Sequence, residues 1–252
     1  MATTITAERL VRGCAAGERR FYTGMGIAIL AAVFLGFADT YYLRAWYPES
    51  AAVSPPESFF YAVHGALFSA WFVLFVAQTG LVAARRTDLH RMLGLAGVAL
   101  AVAMVVTGVY GGLIAAVRPG GFVGIPLPGW QFLVVPAVDA AMFAVLIALA
   151  VAWRGDAQSH KRLMLLASIC LITAAVARWP VSFGSAQLLA AFVLADLFLV
   201  PLVIRDWLTR GRLHPVTLWG GLAILVSQPL RMVLSGTSAW RGFAESLLKF
   251  VT

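Results

Sequence analysis

Three histidines open outgoing apolar segments directly after basic turns: Leu89-His90-Arg91, Ser159-His160-Lys161 and Leu213-His214-Pro215. Each lies where an apolar run begins, so the three imidazoles share one depth and need only adjacent helices to meet. Three imidazoles at one level can hold Zn²⁺ or another divalent metal with a position left open. Taken two at a time they can clamp the iron of a haem b. Arg91, Lys161 and Arg162 stand beside them and can grip propionates, and Asp88, Asp156 or Asp206 can accept from the far ring nitrogens. No HxxxH or HExxH spacing adds to the metal reading. The plain structural alternative is contact with lipid phosphate, or a tie from the turn to a neighbouring helix.

A second set lies inside apolar runs: Asp39, His64, Asp139, Arg178, Asp196 and Arg231. At ~1.5 Å of rise per residue from the nearest run end, all six fall in the half of the layer away from the basic turns. A charge at mid-bilayer costs ~2.5–3.5 kcal/mol even on the lenient insertion scale, so six such groups should face one another or a wet cavity. The functional expectation is an outward-opening polar pocket for a small anionic or amphipathic ligand, gripped by the arginines while an Asp or His64 handles protons. The structural expectation is a set of ion pairs that fix helix register. Both predict that Arg178 and Arg231 each pair with at least one of Asp39, Asp139 and Asp196. Pro136, Pro180, Pro201 and Pro229 sit near these charges, as expected of kinked helices lining a cavity. Gln78 and Gln228 are expected to hydrogen-bond between helices, and Gly94, Gly97, Gly108, Gly111 and Gly112 to permit close packing.

The elements that position these residues are apolar runs long enough to cross a membrane. The chain has 252 residues, 61% hydrophobic and 12% charged, with a mean hydropathy of +0.88. A soluble globule carries nearer ~25% charge. The centre of the pattern is a hairpin from His64 to Gly108, in which Phe59–Ala84 and Met92–Val117 flank a basic turn. Each run exceeds the ~20 residues needed to cross ~30 Å of hydrocarbon. Further runs occupy Phe21–Leu43, Trp130–Trp153, Leu163 to about Val181, Leu188–Ile204 and Val216–Leu234. The fold class predicted is therefore an all-α polytopic transmembrane helical bundle of about seven spans. Spans five and six are the least regular, being interrupted by Arg178, Pro180, Asp196 and Pro201. Three parts follow: a basic segment 1–20, a membrane domain 21–234 and a short amphipathic interfacial helix within 235–252.

Arg9, Arg12, Arg19, Arg20, Arg85, Arg86, Arg91, Arg154, Lys161, Arg162, Arg205, Arg210 and Arg212 gather on one side of these spans, against Arg44, Arg118, Arg241 and Lys249 on the other. The positive-inside rule puts the N-terminus and the three basic turns in the cytoplasm, and the C-terminal helix outside. Trp46, Trp130, Trp153, Trp207 and Trp240 mark span ends as an aromatic belt would. The net charge of +8 is thus read as topology; no nucleic acid is expected, because no long basic face exists. The first run is too long for a cleaved leader and is read as an uncleaved span. Cys14 and Cys170 are not placed to pair, and no P-loop, Ser-His-Asp order or retinal lysine occurs.

The run His64, Trp71, Gln78, His90-Arg91, Leu93-Gly94, with His160-Lys161-Arg162-Leu163-Met164 and Gly211-Arg212-Leu213-His214-Pro215, resembles a group of uncharacterised bacterial polytopic membrane proteins from Phe37 onward. That likeness implies a multi-pass protein of a bacterial inner membrane and says little of activity. The chain is more loosely similar to cytochrome b561-like haem proteins, which use two pairs of histidines, one near each face. Here three lie near one face and His64 alone near the other. The expectations are a haem b or metal-binding membrane redox protein; alternatively a carrier or receptor for a small anionic or amphipathic molecule; alternatively an accessory subunit without a ligand. The partner expected throughout is the lipid bilayer.

Overall fold

The computed structural model describes residues 2–48, 59–119, 121–122 and 125–252, with side chains from residue 16 onward. The loop read around Pro55 and Pro56, and the side chains of Arg9, Arg12 and Cys14, lie outside the described residues. The described residues are mostly helical with no strand among them, and seven segments are long and apolar enough to span a membrane: Ala16–Tyr42, Phe59–Ala83, Thr87–Val117, Gly129–Ala152, Ala157–Val176, Gly184–Arg210 and Pro215–Ser235. The protein is an integral, multi-pass membrane protein of all-α architecture.

Boundaries differ from the hydropathy reading where local chemistry decides. The first helix, Ala2–Phe37, runs unbroken through the polar N-terminal residues and then loosens into a π-helical turn, Ala38–Tyr42, that carries Asp39. The third span starts at Thr87, because Arg86 takes a non-helical conformation and Asp88 occupies the first turn, where a negative charge suits the helix dipole. The fifth is α-helical over Ala157–Cys170, breaks, and resumes only for Thr173–Val176. It stops well short of Val181, since Pro180 removes a donor and disfavours helix in the residue before it. The sixth is in pieces: Gln187–Asp196, a 3₁₀ turn Leu197–Leu199, and Val200–Arg210 with Pro201 in its first turn.

The fifth span is the most enclosed, with Leu163, Leu165, Leu166, Ala167, Ser168, Ile169 and Cys170 all buried. Around it pack Ile29 from the first span, Trp71 from the second, Phe143 from the fourth and Leu202 from the sixth. Trp71 Nε1 donates to Ser168 Oγ at 3.3 Å and meets Phe143 edge-on at 5.0 Å. Gly36 lets the first helix press on the Thr173–Val176 turn: a Cβ there would collide with the Ala175 carbonyl. Gly97, Gly108 and Gly111 face side chains of the second span, and Gly112 faces Pro136 of the fourth, while Gly94 has open space around it. The third span lies at the rim and exposes Met92, Leu95, Val98, Val102, Val106 and Val109. That spacing of three and four residues makes one apolar stripe suited to lipid.

The C-terminal helix Ser238–Leu248 starts on a Thr237 Oγ1 cap that accepts the Trp240 N–H at 3.1 Å. It folds back on the entry of the fourth span, where Trp240 Nε1 donates to the Trp130 carbonyl at 3.0 Å and Arg241 lies 5.4 Å from the Trp130 ring centre. Phe243 and Phe250 stay exposed, as an interfacial helix requires.

Candidate functional site

Four spans bring polar side chains to one point within the apolar layer. From the fourth comes Asp139, from the fifth Thr173 and Cys170, from the sixth Asp196, and from the seventh Ser227, Gln228 and Arg231. Arg231 Nη1 donates to Asp139 Oδ1 at 2.6 Å, its Nη2 to Ser227 Oγ at 2.9 Å and its Nε to the Ser227 carbonyl at 3.2 Å. The guanidinium lies 5.5 Å from the Phe192 ring centre. Asp196 accepts from Gln228 Nε2 at 2.7 Å. The side chains of Arg231 and Asp139 are only 4% and 16% exposed, so the pair is shielded. The residues enclose a cavity of about 10 Å³, close to the ~10–15 Å³ that one water needs.

Backbone irregularity coincides with this point. The fifth helix breaks immediately after Cys170, the sixth turns 3₁₀ immediately after Asp196, and Pro229 lies inside the continuous seventh helix between Gln228 and Arg231. Pro136 lies one turn before Asp139.

The structure gathers three of the six residues expected in one pocket and sends three elsewhere. Asp139, Asp196 and Arg231 meet, and the expected arginine partner is Asp139. Arg178 sits at the end of the first span, with Nη1 donating to the Ala174 carbonyl at 2.6 Å and its guanidinium 4.9 Å from the Phe37 ring centre; Asp39 is within electrostatic reach. His64 stands between the second and third spans, stacked on Phe68 at 4.2 Å, with a buried Nδ1 that has no hydrogen-bond partner. They separate because Arg178, just past the fifth span, reaches the end of the first, where Asp39 lies, while His64 is on the second span and packs against the third.

At the basic face His90 and His160 approach each other, with ring centres 6.3 Å apart and planes nearly perpendicular. His160 Nδ1 donates to the Ala150 carbonyl at 2.8 Å, leaving a lone pair at Nε2. With the Gln78 amide nitrogen turned toward His90, it donates to Nδ1 at 2.7 Å, so His90 keeps its proton at Nε2. Thus one ring offers a donor and the other an acceptor. His214 is occupied differently: its Nδ1 caps the seventh span by accepting the Val216 N–H at 3.1 Å. Burial, reinforced by the Arg162 and Arg210 charges, pushes the His214 imidazole below the ordinary histidine range, which keeps that nitrogen free to accept. Among the described residues no three His, Cys, Asp or Glu side chains converge as a metal set. The sequence's trio is a pair plus a cap.

None of the three flanking aspartates accepts from a histidine ring. Asp88 pairs with Arg86 at 3.3 Å in solvent. Asp156 caps the fifth span, accepting from the Gln158 N–H at 2.9 Å, the Ser159 N–H at 3.3 Å and the Ser159 hydroxyl at 2.5 Å; the last of these leads in holding its carboxyl below the usual range. Asp206 forms a buried ion pair with Arg162 and also accepts from the His214 N–H at 3.0 Å and Thr217 Oγ1 at 2.5 Å. Arg162 Nη1 is further held by the Gln158 carbonyl at 2.9 Å and side chain at 2.7 Å.

This pair joins spans five, six and seven, and reading Arg162 and Asp206 as turn residues misses it. The available signal is the helical register: Arg162 follows Gln158 by four, toward the core rather than the lipid.

No family model, curated protein or solved structure matches the chain.

Proposed function

We propose that the protein is a carrier of a bacterial inner membrane, with its binding centre at Asp139, Asp196, Gln228 and Arg231. The observation that supports this most is the coincidence of the cluster with two interrupted helices, the fifth and the sixth, and with prolines inside the fourth and the seventh. Broken helices within a membrane are tolerated where they are buried in protein or line a cavity, and discontinuous helices commonly frame the substrate sites of carriers. Among the described residues Arg231 is the one cation in the cavity lining, and its planar fork suits a carboxylate or phosphate. Asp139 occupies that fork in this conformation, so a small anion enters by taking its place as the jointed helices part.

The test is a stability screen of purified protein in nanodiscs against acetate, succinate, a longer-chain carboxylate and inorganic phosphate. At least one should raise the unfolding temperature; saturation to ~100-fold over Kd gives ~2.7 kcal/mol. The gain should vanish in Arg231→Gln. A panel without effect, or a gain undiminished in Arg231→Gln, refutes the reading.

A second reading, a haem b or metal site, draws on His160, whose Nδ1–H bond to a backbone carbonyl is the arrangement usual for metal-binding histidines. His90 would complete it after Gln78 releases its Nδ1. A Soret band or stoichiometric metal that is lost in His160→Ala and retained in His214→Asn supports this reading; colourless, metal-free protein refutes it.

A further inference from the structure

We propose that the Asp139–Arg231–Asp196 cluster is a proton-binding site, with the exchangeable proton on Asp196. This names the coupling ion of the carrier read above and rests on that reading only for the purpose the proton serves; the site itself stands on its geometry.

The charges facing Asp196 are few. Asp139 comes from the fourth span, the Cys170 thiol from the fifth, and Arg231 with the neutral Gln228 from the seventh. Two carboxyls therefore share one guanidinium, and the hydrogen bonds assign it: Arg231 donates to Asp139, while the Gln228 amide donates to Asp196. With both carboxyls ionised the cluster would carry a net charge of −1 within the apolar layer. Isolated charge in such surroundings is normally removed by protonation, because a neutral acid with a hydrogen bond costs far less than an unpaired ion. A proton on Asp196 makes the cluster neutral.

The cavity also selects among cations. At about 10 Å³ it accepts at most about one water. A sodium ion would need several oxygens around it and would sit beside the Arg231 guanidinium, whereas a proton needs one carboxyl oxygen.

Exchange follows from the same arrangement. When Asp196 loses its proton, it competes with Asp139 for Arg231. Capture of the guanidinium by Asp196 transfers the charge imbalance to Asp139, which then binds a proton instead. The side chain of Arg231 thus moves between two carboxyls located on different spans, the fourth and the sixth. An anion that binds Arg231 would leave both carboxyls protonated, so proton and anion would bind together.

The test needs no substrate. Infrared difference spectra of purified protein in nanodiscs, recorded through a pH titration, read the carbonyl stretch of a protonated carboxylic acid directly. The wild type should show this band at neutral pH, bleached at high pH. Asp196→Asn, which keeps the size and the acceptor for Gln228, should remove it. Arg231→Leu, which takes away the cation of Asp139, should increase it about twofold. Sodium at constant ionic strength should leave it unchanged. Absence of the band in the wild type, persistence in a folded Asp196→Asn protein, or bleaching by sodium each overturns the proposal. A proton band with no anion stabilisation would refute the carrier alone, and anion stabilisation without the band would refute the proton alone.

Discussion

Breaking the Arg162–Asp206 pair should do more damage than any other single polar substitution at the basic face. The two side chains are 2% and 0% exposed, and Asp206 holds three elements at once: Arg162 from the fifth span, its own sixth span, and both the His214 N–H and the Thr217 hydroxyl at the start of the seventh. Asp206→Asn leaves Arg162 charged and buried without a counter-ion. Removing one member of a truly buried pair costs ~3–5 kcal/mol. Hydrogen bonds between membrane helices average nearer ~0.6 kcal/mol, so the two neutral bonds alone would account for only ~1 kcal/mol. The size of the loss therefore separates a charge effect from a hydrogen-bond effect. Equilibrium unfolding in mixed micelles should give ~3–5 kcal/mol for Asp206→Asn and a similar figure for Arg162→Met. The double variant should lose clearly less than the sum, with a coupling above ~2 kcal/mol, because no stranded charge remains. A loss below ~1 kcal/mol for Asp206→Asn, or additive single losses, would refute the reasoning.

Gly36→Ala should destabilise the protein by ~1–3 kcal/mol, since the added methyl meets the rigid Ala175 backbone rather than a movable side chain; thermal unfolding checks it, and an unchanged midpoint contradicts the close approach. His214 yields a pH prediction with a definite sign. A base held below its unfolded value binds fewer protons folded than unfolded, so stability is full above pH ~6.5 and falls as pH drops through the folded value. His214→Asn keeps a capping side chain and should flatten this decline between pH ~6.5 and the folded value, as read by unfolding midpoints across pH; an unaltered slope sinks the assignment.

Architecture was written in the sequence more plainly than contacts were. Seven apolar runs, the basic turns and the span-end tryptophans reflect hydropathy and length, which are local. The interhelical roles of Gln78 and Gln228 were also legible, because an amide inside an apolar run has few alternatives. Which charges meet is not local. Counting rise per residue correctly put Asp139, Asp196 and Arg231 at one depth, but depth leaves the rotation of each helix and the neighbour order open. The same count gave His64 and Arg178 a similar depth, yet they pack in other parts of the bundle. His214 reads like His90 and His160 in sequence, yet the proline after it starts a helix whose first free N–H groups need an acceptor, and the imidazole supplies one.

The broken spans and the buried polar groups depend on each other. A helix that stops inside an apolar layer leaves carbonyls and N–H groups that water cannot reach, and each must find a partner. Where the fifth span ends, Arg178 takes the Ala174 carbonyl, while Gln187 Nε2 takes those of Ala177 at 3.0 Å and Val181 at 3.4 Å, and its Oε1 accepts the Phe183 N–H at 2.8 Å. In the seventh span, Arg231 Nε donates to the Ser227 carbonyl of its own helix. Arg178, expected from the sequence to grip a ligand, here finishes a helix end. Arg231 holds a carbonyl of its own helix with Nε and still presents two amino groups to Asp139 and Ser227. A guanidinium with donors left over after holding a carbonyl of its own helix is the group that can change partners without unravelling the span that carries it.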